Sequence, residues 1–209
     1  MYNIKEIYYT LQGEGFYTGR PAIFIRFSGC NLWNGLEADR NKAICDWCDT
    51  DFFGINGPYG GKHSAIKIKK IIIHLWPSKQ PEKPYVVFTG GEPLLQLDNK
   101  LISAVHNIGF EIGIETNGTI TPPKGIDWVC VSPKANTNLV VKTGNELKFV
   151  YPQCGLNPEK HEKLDFDHFF IQPMDGSNQN ENIKKSKEFV AKNPKWKISL
   201  QTHKLLGIP

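Results

Sequence analysis

The sequence lacks any long apolar run. Its most hydrophobic stretch, Ile71-Ile72-Ile73-His74-Leu75-Trp76, is stopped by Pro77, far short of the ~20 residues a spanning helix needs. The start, Met1-Tyr2-Asn3-Ile4-Lys5-Glu6, has neither a basic cluster nor an apolar segment. No export signal is read there, and a cytoplasmic location without membrane contact is expected. Charge of one sign is not in great excess either: 25 Lys and Arg face 21 Asp and Glu, and the lysines are scattered. That argues against the concentrated basic face of a nucleic-acid binder. The one dense group, Lys67, Lys69 and Lys70, alternates with isoleucines and reads as the solvated face of a helix. Repeats, low-complexity stretches and linkers are missing too, so residues 1–209 read as one globular domain. Five cysteines, an odd number without an export signal, argue for thiols and metal ligation over a disulfide framework.

What is present is a succession of short apolar segments rich in β-branched and aromatic residues. Ala22–Ser28, Tyr85–Thr89, Glu111–Thr116, Trp128–Ser132, Glu146–Tyr151, His168–Gln172 and Trp196–Gln201 are predicted strands. Ala65–Trp76, Leu95–Ile108 and Asn182–Lys192 carry helical patterns, the first capped by Ser64 and ended by Pro77, the second closing at Gly109. Alternation of this kind predicts parallel strands joined by crossover helices. Later connections are too short for a full helix each, so the expected fold is α/β, an incomplete TIM-like β/α barrel. Unusual polar residues follow nearly every strand: Cys30, Gly90-Gly91-Glu92-Pro93, Glu115-Thr116-Asn117-Gly118, Ser132-Pro133-Lys134, Gln172-Pro173-Met174-Asp175 and Gln201-Thr202-His203. In parallel α/β folds these ends share one face, and that face carries the active site.

Cys45-Asp46-Trp47-Cys48 is a C-x₂-C pair, preceded by Cys30 across the segment Asn31–Ile44. Spacing alone suits an iron–sulfur cluster and a zinc site equally. Structural zinc wants four closed ligands, yet Cys130 lies mid-strand among valines and Cys154 in a distant loop. Three cysteines would leave one iron of a four-iron cluster open to a substrate. The Gly90-Gly91-Glu92-Pro93 turn favours the cluster. It serves as a tight helix entry, but its glycines also let backbone approach a ligand, and Glu92 can accept from an ammonium group.

The cysteine triad, a strand followed by Gly-Gly-Glu-Pro, and Glu-Thr-Asn-Gly at the third strand end together resemble the radical S-adenosylmethionine superfamily. The resemblance implies a [4Fe–4S] cluster on Cys30, Cys45 and Cys48, with S-adenosyl-L-methionine bound to the open iron as the source of an adenosyl radical. The usual superfamily pattern places three residues between the first two cysteines; here Asn31–Ile44 intervene. That longer loop resembles one branch, the 7-carboxy-7-deazaguanine synthases of the queuosine and 7-deazapurine pathway. The likeness runs from Leu11-Gln12-Gly13-Glu14-Gly15 to Pro209. It implies a carbon–nitrogen lyase that converts 6-carboxy-5,6,7,8-tetrahydropterin to 7-carboxy-7-deazaguanine and ammonia by hydrogen abstraction and ring contraction. An electron donor such as flavodoxin or ferredoxin and a homodimer are implied as well.

The resemblance assigns roles that chemistry can check. Leu11, Gln12 and Gly13 hold the pterin edge, Thr89 touches substrate, and Arg26 forks onto the substrate carboxylate, a task lysine does less well. Phe24, Ile25 and Phe27 around Arg26 make a solvent-facing arginine less comfortable. Trp47, Cys48 and Asp49, with Gly91, Ser132, Pro133 and Lys134, surround S-adenosylmethionine, as do Gln172, Pro173, Met174 and Asp175. Thr50, which on its own reads as a helix cap, contacts Mg²⁺ together with water and substrate oxygens. The terminal carboxylate of Pro209 accepts from the pterin ring, with Leu206 and Ile208 packing the tail over the pocket. Glu115 and His203 are further candidates on the same face. Two other readings compete. A radical activase of a partner protein is opposed by the long cysteine spacing and single small domain. A zinc-stapled nucleic-acid module takes support from the positive charge and from Trp33, Trp47, Phe52 and Phe53, which packing around a cluster explains more simply.

Overall fold

Successive side chains of a strand point to opposite faces, so alternation decides what each face of a sheet is for. In the computed structural model, which describes residues 1–209, one nine-stranded sheet runs through the chain. Its strands are β1 (Tyr2–Leu11), β2 (Pro21–Phe27), β3 (Gly61–His63), β4 (Tyr85–Gly90) and β5 (Glu111–Thr116). They continue with β6 (Trp128–Val131), β7 (Thr143–Tyr151), β8 (Asp165–Pro173) and β9 (Lys197–Ile198). The spatial order is β3-β1-β2-β4-β5-β6-β7-β8-β9. The pairs β3–β1 and β1–β2 are antiparallel, and every pair from β2 to β9 is parallel.

Four α-helices accompany the sheet: α1 (Ala65–Leu75), α2 (Asn99–His106), α3 (Gln179–Lys192) and α4 (Thr202–Leu206). Ser64 caps α1 by accepting from the Lys67 amide, and Trp76 follows the last turn just before Pro77. Gly109, at φ +81°, takes the left-handed turn expected after α2. The start of α2 differs from the sequence expectation. Pro93–Leu95 forms a separate 3₁₀ turn, and Asp98 caps the helix by accepting from Leu101 N, so α2 begins at Asn99 rather than Leu95. The last strand is also shorter than predicted, because Gln201 and Thr202 turn away to make contacts described below.

Ile23, Ile25, Val86, Phe88, Ile112 and Ile114 point to one face and are buried under α1 and α2, with Ile68, Ile72, Leu101 and Val105 from the helices. Fully burying side chains of this size stabilises by about 1.5–3 kcal/mol each. A second cluster, centred on Leu147, Phe149, Ile171 and Trp196, packs with Phe189 and Val190 of α3. On the opposite face Ala22, Phe24, Tyr85 and Val87 form a small apolar cluster, and polar residues gather toward the strand ends.

β1, not predicted as a strand, contains a β-bulge: Ile4 pairs with Phe27 and Glu6 with Arg26, leaving Lys5 as the extra residue. The bulge turns both Ile4 and Ile7 into the apolar core, where each is 0% exposed. It also explains the miss. Apolar residues three apart do not show the period of two by which a strand is read.

Candidate active site

Residues of the polar face line one cavity of about 370 Å³ at the C-terminal ends of the parallel strands. Strand register aligns their layers: Arg26 lies beside Thr89, Glu115 beside Cys130, Cys130 beside Glu146, and Val150 beside Gln172. Cys30, Cys45 and Cys48 all line the cavity. So do Leu11, Gln12, Gly13, Thr89, Pro209 and Thr50. Trp47, Asp49, Gly91, Ser132 and Lys134 share the same walls, with Glu115 and His203. Four residues do not: Pro133, Pro173, Met174 and Asp175 are absent from the lining. Pro133 and Pro173 are buried. The Met174 amide donates to Tyr151 O, and Asp175 turns its carboxylate to Lys204, 2.6 Å away.

The cysteine loop is held by contacts that leave its thiols to the cavity. Arg40 donates to the carbonyls of Asp46 (2.9 Å) and Cys48 (3.0 Å) and stacks on Trp33, whose ring meets Phe52 edge-on. Thr50 stands in this irregular loop and caps no helix. A hydrogen bond from Cys45 holds the Cys48 thiol down to about 6, whereas the same bond and burial push Cys45 up. One thiolate therefore comes readily from this pair at neutral pH. Cys154 is exposed, and Cys130 is buried against Glu146 with its Sγ donating at 3.5 Å.

The glycine turn fits a close approach. At Gly90, φ is +146°, and a Cβ would lie 2.4 Å from Phe27 O. A Cβ on Gly91 would lie 2.3 Å from Gly29 O and 2.7 Å from Cys30 Cβ, so only glycine lets this turn meet the first cysteine's loop. Glu92 serves a different purpose from the one its position suggested. It is fully buried and accepts from the amides of Leu94 and Asn117 and from Thr116 Oγ1, bracing two strand ends rather than facing the cavity.

The floor carries charge. Lys148 and Glu14 form a tight ion pair, and Glu14 also accepts from Gln172 (3.0 Å) and Gln201 (3.1 Å). Burial alone would push the Glu14 carboxyl up, but the Lys148 ammonium together with the hydrogen bond from Gln201 holds Glu14 low. Burial likewise opposes the Lys148 charge, and Glu14 together with Cys130, Glu115 and Glu146 more than offsets it, holding Lys148 above its ordinary value. Glu115 lies 3.9 Å from Lys148 and accepts from Gln12 (3.1 Å) and Thr89 (3.1 Å). Below them Phe16 closes the polar face, stacked on His168 (4.1 Å) and Trp128 (5.2 Å).

Across the mouth, α4 is tied by polar contacts. Thr202 donates through N and Oγ1 to Gly13 O, and Lys204 bridges Asp49 (2.7 Å) and Asp175. Thr10 Oγ1 donates to Pro209 O at 2.8 Å. Leu206 is 64% exposed and does not pack the tail down; the polar contacts hold it instead.

A scan against protein-family models finds no match. Curated proteins give a direct answer. The chain is 52% identical to the 7-carboxy-7-deazaguanine synthase of Bradyrhizobium diazoefficiens over 99% of each chain. The Bordetella pertussis enzyme is also 52% identical, over 100% of this chain and 99% of the relative. The chain belongs to the 7-carboxy-7-deazaguanine synthase family. A solved structure of QueE from Escherichia coli shares 25% identity with a TM-score of 0.68, covering 95% of this chain and 93% of that one.

Several cavity residues of this family member escaped the sequence reading. Lys148 sits between Leu147 and Phe149, the same setting that singled out Arg26. Glu14 was read only as part of Leu11-Gln12-Gly13-Glu14-Gly15, with no role of its own. Glu6 and Tyr8 lay on a strand that the bulge concealed.

Proposed function

We propose that this chain converts 6-carboxy-5,6,7,8-tetrahydropterin to 7-carboxy-7-deazaguanine and ammonia as a single-domain radical enzyme on a partial β/α barrel. The observation that carries the reading is that Cys30, Cys45 and Cys48 share one cavity with Arg26, Glu115 and Gln12, while the fourth thiol that reaches it, Cys130, is buried and bonded to Glu146. Three cysteines suit a [4Fe–4S] cluster with one open iron. No three His, Cys, Asp or Glu side chains gather closely enough for a single metal ion, as thiols serving separate irons would not. Bound there, the cluster and S-adenosylmethionine would supply a one-electron source and an adenosyl radical.

The chain's own residues do the rest. Cys30, Cys45 and Cys48 hold the cluster. Gly91 admits the S-adenosylmethionine backbone, Ser132 and Lys134 flank it, Trp47 and Asp49 wall it, and Gln172 closes one side. Pro133, Pro173, Met174 and Asp175 act from behind this wall by shaping the loops that carry Lys134 and Gln172. Leu11, Gln12, Gly13 and Thr89 orient the pterin, Arg26 takes its acid, and the Pro209 carboxylate accepts from its amino edge. Mg²⁺ fits beside Thr50 only if water and substrate oxygens complete its shell, as is common for that ion. Flavodoxin or ferredoxin is the expected donor and a homodimer the expected assembly.

Anaerobic reconstitution with iron and sulfide, followed by a product assay with the carboxy-tetrahydropterin, tests the reading. Native protein should bind iron and form the deazaguanine. Cys45→Ala should lose both while Cys154→Ala keeps them. Equal loss of iron in the two variants would sink the three-cysteine assignment.

A further inference from the structure

The β1 bulge does more than bury Ile7. It presents Lys5, Glu6 and Tyr8 to the cavity side, and all three line it. Glu6 stands directly across from Arg26 in the strand register. Glu6 Oε1 accepts from Arg26 Nε at 2.8 Å, and Tyr8 Oη accepts from Arg26 Nη2 at 2.9 Å. Tyr8 is itself fixed, stacked on Phe24 at 5.8 Å with an 11° tilt.

A guanidinium has five N–H donors in a rigid plane and can meet an acid along either of two edges. Here the edge formed by Nε and Nη2 is engaged by the protein. Nη1 and the second hydrogen of Nη2 remain for a ligand.

The bulge is built to stay. Lys5 O accepts from Gly57 N at 2.9 Å, and Ile7 N donates to Pro58 O at 2.8 Å, so a loop replaces the missing strand partner. That loop packs tightly: a Cβ on Gly60 would lie 2.5 Å from Lys5 O, and one on Gly57 would lie 2.8 Å from Glu6 Cβ. The Lys5 ammonium ties Asp51 (2.8 Å), Phe53 O (2.9 Å) and Asn56 (3.1 Å), fixing the segment after Thr50. Bulges beside active sites commonly re-aim a side chain in this way.

We propose that Glu6, with Tyr8, is a positioning residue that presents only the Nη1–Nη2 edge of Arg26 to the substrate and thereby sets its selectivity for a carboxylate. The proposal rests on the reading that Arg26 takes the substrate acid. Glu6 acts through Arg26 and touches no substrate. Its carboxylate also balances the arginine charge, which keeps the site from attracting every passing anion.

The test compares binding of 6-carboxy-5,6,7,8-tetrahydropterin with binding of tetrahydropterin lacking the carboxylate, by anaerobic titration of the full chain. Arg26→Ala should weaken the carboxylated ligand alone, which checks the underlying reading. Glu6→Ala should weaken that same ligand roughly tenfold and leave the other unchanged, as expected for loss of a charge-assisted geometry. Glu6→Gln keeps an acceptor for Nε and should recover to within about threefold of native. Should Glu6→Ala fail to fold, Tyr8→Phe removes the second acceptor and should cost the carboxylated ligand about threefold. Equal weakening of both ligands, or Glu6→Gln as poor as Glu6→Ala, would overturn the positioning role. Selectivity lost in Arg26→Ala but intact in Glu6→Ala would do so while sparing the Arg26 reading. No effect of Arg26→Ala on selectivity would remove both.

Discussion

Phe88 and Thr89 are neighbours in β4 and face opposite worlds. Phe88 is 0% exposed under α1 and α2, while Thr89 donates to Glu115 inside the cavity. The same division separates Ile25 from Arg26, Ile114 from Glu115 and Leu147 from Lys148. One face of each strand supplies stability by removing apolar surface from water. The other carries a small apolar layer at Ala22, Phe24, Tyr85 and Val87 and, toward the strand ends, gathers charges whose burial is tolerable because they are partnered. Function and stability are thus separated by a single residue step, and changes on one face should leave the other largely untouched.

The largest test of that division lies in the core. Phe88→Ala should cost about 3–5 kcal/mol of stability, read by chemical denaturation, because it empties a fully packed site. Ligand affinity of the remaining folded protein should stay native; a parallel loss of affinity would show that the faces are coupled.

A smaller effect is expected from the charged face. Burial pushes the Glu146 carboxyl above its usual range, with the Lys148 charge pulling the other way. Across the interval between the ordinary carboxylate range and that raised value, the unfolded chain releases a proton that the folded chain keeps. Stability attributable to Glu146 is therefore intact at low pH and declines as pH rises. Glu146→Gln has no proton to lose. Its melting temperature should match native at low pH and exceed it progressively above the usual carboxylate range. A constant difference across pH would mean that Glu146 is ionised in the fold.

The smallest effect belongs to neither face. Leu205 is 75% exposed on α4, and Leu205→Ser should change stability by less than about 0.5 kcal/mol in thermal melts. A larger loss would reveal a packing role that the polar tethers of α4 do not suggest.

The sequence displayed much of this division, but unevenly. Strands β4 and β5 are legible to within a residue because Tyr85-Val86-Val87-Phe88 is an unbroken apolar run and Ile112 and Ile114 alternate, each set bounded by turn residues. Arg26 was visible because three apolar neighbours made it conspicuous, and the cysteines and glycine turn carried a recognisable order. β1 was not legible: a bulge shifts the parity of its side chains, and only the partner strand and the Gly57–Gly60 loop reveal where the extra residue goes. Glu92 misled because a glutamate after two glycines suits a ligand as well as a brace. Its buried partners, Thr116 and the Asn117 amide, come from another strand end. The tail was expected to be held by Leu206 and Ile208; Ile208 is half-buried but Leu206 is exposed, and polar contacts with Gly13, Asp49 and Asp175, distant in sequence, tie the segment before it.

Those distant contacts bear on how the molecule folds. Thr10 reaches Pro209 across 199 positions, Thr202 reaches Gly13 across 189, and Gln201 reaches Glu14 across 187. Closing so long a loop is not thermodynamically severe, since each doubling of length adds only about 0.6 kcal/mol. Kinetically it is another matter, because contacts of high sequence separation are reached late in the search. The core beneath α1 and α2 draws on strands joined by single crossovers and can assemble without the tail. The mouth of the cavity closes only when the first strand and the last helix have found each other, so this chain acquires its stability before it acquires its site.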